Sequence, residues 1–139
     1  MSAPGRGLLD TSTVILLGRI PDASSLPGEP VISAITLAEL SVGPLVTDDP
    51  VERAARQAHL QQAESDFDPL PFDASAARAF GRVAAFLRQA GRKPTARAYD
   101  ALIAATAIST QLPLFTCNPT DFVAIPELDL RAIPHPDHT

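Results

Sequence analysis

Short apolar runs recur along the chain, and longer stretches with helical spacing of apolar residues lie between them. Gly7-Leu8-Leu9-Asp10, Val31-Ile32-Ser33, Leu70 to Phe72, Leu114-Phe115-Thr116 and Leu130 to Ile133 each predict a brief strand. Thr11 to Gly18 predicts a first helix, and Thr36 to Val42 a second that Gly43-Pro44 should stop. Pro50 to Phe67 reads as a polar helix. Asp73 looks like the N-cap of a long helix running to Ala90, with Gly91 as its C-terminal stop. Ala98 to Thr110 is an alanine-rich helix, Asn118 to Phe122 a short helical turn, and Pro21 to Pro30 a loop. Most of the 14 prolines punctuate these stretches rather than interrupt them.

Brief strands alternating with helices predict an α/β fold with a mainly parallel sheet of about five strands, flanked by helices. Parallel strands are covered on both faces, which suits Val31-Ile32 and Leu114-Phe115. The 139 residues fit a single domain, with residues 1–6 and 135–139 expected to be flexible ends. In open sheets of this kind the functional crevice lies beyond the carboxyl ends of the strands. Polar residues just after a strand are therefore the first place to look for chemistry.

Asp10 follows the first strand directly. Capping the next helix is its ordinary job. Glu39 lies one helical turn beyond the second strand, where a lone Glu is ordinarily at the surface. Asp100 opens a helix that is apolar nearly all round and so should be buried. A carboxylate there needs compensation, partly from the helix N-terminus and partly from a cation. Asn118 and Asp121 follow the fourth strand, although Asn118-Pro119 is also a natural turn opening. If these groups converge, their charges repel and raise one another's pKa. Hard divalent cations such as Mg2+ resolve that repulsion and can activate water against a phosphate. Thr11, Ser12 and Thr13 could orient Asp10 or a bound water, with local backbone bonding as the alternative.

Composition adjusts this picture in a few places. The single cysteine, Cys117, excludes an internal disulfide and a cysteine zinc cage, and fits a reducing cytoplasm. No apolar run approaches the ~18 residues of a membrane span. The net charge of -5 argues against a general nucleic-acid binder. The stretch from Ala74 to Tyr99, however, holds six cations and no acid. On a helix, Arg78, Arg82, Arg88 and Arg92 would fall within about 120° of arc, a candidate RNA-binding face or an ordinary solvated one. His59, His135 and His138 form no plausible metal cluster.

Four blocks carry a resemblance: Leu8-Leu9-Asp10-Thr11-Ser12, Leu37-Ala38-Glu39-Leu40, Asp100 to Ala107, and Thr116-Cys117-Asn118-Pro119-Thr120-Asp121-Phe122. In order and spacing they resemble the signature blocks of PIN domains, most closely the VapC-type toxins of bacterial toxin–antitoxin pairs. The resemblance spans nearly the whole chain. It implies a five-stranded parallel sheet, usual homodimerisation, and a Mg2+-dependent endoribonuclease in which Mn2+ can substitute. It places Asp10, Glu39 and Asp100 at the metal. The residues themselves add that Asp121, three positions beyond Asn118 on one face of a helical turn, completes the catalytic set, and that Thr11, Ser12 and Asn118 act through water or through the ligands. It also implies an RNA substrate and a VapB-like antitoxin encoded alongside. Asn118 departs from the pattern, because many relatives carry a fourth acid there. Two other readings compete. One is a non-catalytic binding module on the same fold. The other is an aspartyl-phosphate phosphatase or receiver built on Asp10, which would want a nearby lysine; Lys93 is the only one, and Ser12 stands where such phosphatases carry a second acid.

Overall fold

The computed structural model describes residues 3–93, 97–122 and 125–137. Strands β1 (Ala3–Leu9), β2 (Pro27–Val31), β3 (Leu114–Thr116) and β4 (Leu130–Ala132) form one sheet in the order β2-β1-β3-β4. Every pairing in it is parallel. Helices α1 (Thr11–Leu16), α2 (Ala34–Val42), α3 (Pro50–Asp66), α4 (Ala74–Gln89) and α5 (Ala98–Thr110) supply the crossovers.

Leu8 and Leu114 are register partners in the sheet, and so are Leu9 and Phe115. Side chains alternate along a strand, so these pairs point to opposite faces. Leu8 and Leu114 pack with Ile103, Ala104, Ala107 and Phe122 under α5. Leu9 and Phe115 pack with Cys117 and Ile133, beneath Val14, Leu17 and Ile20. Small residues let α5 lie close to the sheet, and Ala101, Ile103, Ala104, Ala105, Thr106 and Ala107 are all buried. A third cluster, Ile32, Leu40 and Ala63, joins α2 to α3.

Two expectations from the sequence need correction. Among the described residues the sheet has four strands rather than about five. Leu70 meets Ser33 through a single parallel bridge, because proline on either side of it leaves no run of backbone donors to extend a ladder. The expected loop from Pro21 already becomes strand at Pro27. Gly43-Pro44 ends α2 at Val42, as expected, and opens a 3-10 turn, Gly43–Val46. Within the lead, β1 begins at Ala3, and Arg6 pairs with Glu29 of β2. At the other end Asp137 meets Arg19, while His138 lies outside the described residues.

β1 bulges between Ala3 and Arg6, where Gly5 takes a φ of 83°, a left-handed conformation that glycine adopts without strain. Gly7 is needed for a different reason. A Cβ there would lie 2.6 Å from both the Phe115 ring and the Pro27 side chain. Gly7→Ala should therefore cost about 1–3 kcal/mol, the usual penalty of overpacking. Thermal melts check this, and a variant melting with the wild type would mean that the sheet opens freely at this point.

Candidate active site

Asp10 leaves the end of β1 and caps α1, its carboxylate accepting from the Thr13 backbone N–H. The capping role and the candidate functional role thus belong to the same side chain. Asp10 is 3% exposed, and its second oxygen accepts from Thr116 Oγ1 at 2.9 Å and Ser12 Oγ at 3.1 Å. The Thr13 hydroxyl donates to the first oxygen. Behind these donors lies a second set. Cys117 N donates to Thr13 Oγ1, Asn118 N to Thr116 Oγ1, and Asn118 Nδ2 to Ser12 Oγ, all at 2.9–3.0 Å. Asn118 therefore uses its amide as a donor that steadies Ser12 against Asp10. Burial pushes the Asp10 carboxyl above its usual range, and the hydroxyl and amide donors pull it back.

Glu39 comes from α2, which Ser33 caps by accepting from Thr36 N at 3.1 Å. Thr11 Oγ1 donates to Glu39 Oε1 at 2.5 Å and lies 3.0 Å from Thr36 Oγ1. Burial raises the Glu39 carboxyl, the Thr11 hydrogen bond opposes this, and the Asp10 charge adds to the rise. Asp100 sits in the first turn of α5. Its carboxyl is pushed up to about 6, by burial first and then by the charges of Asp121, Glu39 and Asp10, with Arg97 opposing. Three acids from three other segments thus act on one carboxyl group. Arg97 stands between two of them, 2.9 Å from Asp121 and 3.6 Å from Asp100.

The donor chemistry fits a hard divalent cation: carboxylate and hydroxyl oxygens surround a region that already draws a guanidinium to it. Asp10, Glu39 and Asp100 are the residues expected at the metal. Among the described residues no three His, Cys, Asp or Glu side chains stand close enough to close on a single ion. One or two carboxylates would hold an ion here, with water in its remaining positions, which is how Mg2+ is commonly bound.

A cavity of 340 Å³ opens beside Asp100 and Asp121. Leu87, Ala101 and Ile125 form apolar parts of its wall, and Arg92, Lys93 and Arg97 add cations. The expected basic helix face is divided. α4 ends at Gln89 and Gly91 turns the chain with a φ of 80°, so Arg92 leaves the helix and reaches this cavity. Arg82 is paired with Glu127 at 3.1 Å, while Arg78 and Arg88 are exposed on α4. His59 lines a separate hollow with Thr11 and Glu39.

Sequence reasoning missed Thr116 and Arg97. Thr116 ends β3 level with Asp10, which only the strand register reveals. Arg97 precedes Asp100 by three residues, a spacing that could have flagged it.

The metal-free protein binds the Asp100 proton more tightly when folded than when unfolded. The stability this group contributes is thus present below its usual pKa of 3.8 and lost as pH rises to about 6. The wild-type melting temperature should carry a fall over that window that Asp100→Asn lacks, and the variant should melt at an equal or higher temperature at pH 7. Parallel curves for the two proteins would remove the case for strained carboxylates.

The PIN domain family model matches residues 8–128 of the chain. Ribonuclease VapC5 of Mycobacterium tuberculosis is 38% identical over 126 residues, covering 89% of this chain and 90% of the relative. Ribonuclease VapC of Rickettsia bellii is 33% identical, covering 94% and 98%. The solved structure of VapBC-5 from M. tuberculosis, a member of the VapBC family of toxin-antitoxin systems, superposes with a TM-score of 0.74 at 33% identity, covering 94% of this chain and 98% of that one. With its four acids gathered beyond the strand ends of a parallel sheet, this chain belongs to the PIN domain family.

Proposed function

We propose that the chain is an endoribonuclease toxin that hydrolyses phosphodiester bonds in cellular RNA and is neutralised by a VapB-like antitoxin. One observation carries the catalytic part: three other acids raise the Asp100 carboxyl where burial has already strained it. Acids kept only for stability would not be arranged to oppose one another. Two relatives named ribonuclease VapC support the reading, as does the VapBC-5 structure.

In this reading Asp10, Glu39 and Asp100 hold Mg2+ or Mn2+, directly or through water, and Asp121 extends the acidic wall. When bound, the ion supplies Lewis-acid polarisation of the phosphodiester and acidifies water. Thr13, Thr116 and Ser12 keep Asp10 in one orientation, so that its charge is set before substrate arrives. Thr11 does the same for Glu39. Arg97 offsets the charges of Asp100 and Asp121 and is placed to offer its own to a phosphate. Arg92 contributes to RNA binding at the cavity, and Arg78, Arg82 and Arg88 act as outlying phosphate contacts. A homodimer and a cytoplasmic location complete the reading; among the described residues no helix is long and apolar enough to cross a membrane.

The surroundings of Asp10 weigh against covalent phosphate chemistry. Its carboxylate is enclosed by four donors, and Lys93 lies at the cavity of Asp100 and Asp121.

Purified protein should cut total RNA with Mg2+ and stop with a chelator. Asp100→Asn should cut more than about a hundredfold more slowly, since even outer partners of a metal site are worth 10–100-fold. Undiminished cleavage by a folded Asp100→Asn protein would remove the proposed site.

Expression of the chain alone should arrest growth, and co-expression of its genomic neighbour should restore it. Normal growth without the neighbour would leave the nuclease but withdraw the toxin.

A further inference from the structure

The cavity beside Asp100 combines features that the acids alone do not require. Two of its lining residues, Asp100 and Asp121, belong to the proposed catalytic set, so an occupant lies against the reacting region. Leu87, Ala101 and Ile125 give it an apolar surface. Arg92 and Lys93 line it too, and among the described residues neither has an acidic partner, whereas Arg97 is already engaged by Asp100 and Asp121. Two uncommitted cations at one cavity, in a chain of net charge -5, mark a place for an anion. The apolar surface adds that the anion carries a non-polar body. The volume of 340 Å³ is at the low end of cavities that seat small organic ligands, about 300 Å³ upward.

We propose that this cavity seats one nucleotide unit of the RNA next to the scissile phosphodiester, its base against Leu87, Ala101 and Ile125 and its backbone phosphate on Arg92 and Lys93. The inference rests on the ribonuclease reading above and assigns that site its neighbouring substrate contact. Aliphatic contact holds the base there. The cavity therefore sets how far RNA must extend on one side of the cut.

The test uses adenosine 5′-monophosphate, ribose 5-phosphate and adenosine as probes, with NMR of the Leu87 and Ile125 methyl groups. The monophosphate should shift both methyls. Ribose 5-phosphate should leave them in place, and adenosine should bind more weakly. Arg92→Ala/Lys93→Ala, at two exposed positions, should weaken the monophosphate about tenfold. The same double variant should raise KM for RNA by a similar factor with little change in kcat. Leu87→Gln should abolish the advantage of the monophosphate over ribose 5-phosphate. Methyls that do not respond to the monophosphate overturn the proposal. So does a double variant with weakened nucleotide binding but unchanged KM, which would mark a nucleotide site off the substrate path. Methyl shifts in a wild-type protein that cuts no RNA would overturn the ribonuclease reading and leave the nucleotide seat standing.

Discussion

Asp10 must be buried and carry charge in a region where other acids also gather, and much of the molecule follows from that requirement. A carboxylate at 3% exposure is tolerable only if its lone pairs are met. Here they are met by short side chains at fixed offsets. Ser12 and Thr13 follow it on the same helical turn, and Thr116 comes from the neighbouring strand. The Thr116 hydroxyl can reach only if β1 and β3 are parallel and level, as the Leu9–Phe115 register makes them. Sheet geometry and site chemistry are therefore one constraint.

The acids differ in how they are supported. Asp10 is enclosed and fully bonded, while Glu39 leans on one hydroxyl. Asp100 and Asp121 share a guanidinium whose side chain is 63% exposed. Rigidity thus decreases from the sheet outward, and the outermost support is the one that can be exchanged. An arrangement graded in this way holds Asp10 on every side while Asp100 and Asp121 share one exposed partner.

The fold was largely legible because its signals are local. Alternating strand and helix patterns, the Asp73 cap and the Ala98–Thr110 helix follow from residues within a few positions of one another. The fifth strand was not legible as a bridge, because Leu70 has the composition of a strand and only its proline flanks shorten it. Of the site, Asp10, Glu39, Asp100 and Asp121 could be named from their places after strands and at helix heads. The structure brings them within electrostatic reach of one another. Their supports depend on register or on chain reversal, as with Thr116, Thr36 and the turn that carries Arg92 off its helix. No periodicity in one sequence encodes such contacts. The partner of Asn118 was hidden for a related reason: its amide works through Ser12, 106 residues away.

β2 forms one border of the sheet and contains Pro27 and Pro30. Beyond it there is only the lone bridge to Leu70. A proline nitrogen cannot donate, and prolines three positions apart point to opposite sides of a strand, so one donor is missing from the outward row. Such a border is a poor template for strands from another molecule. On this border of the sheet, at least one route to edge-to-edge self-association is thereby blunted.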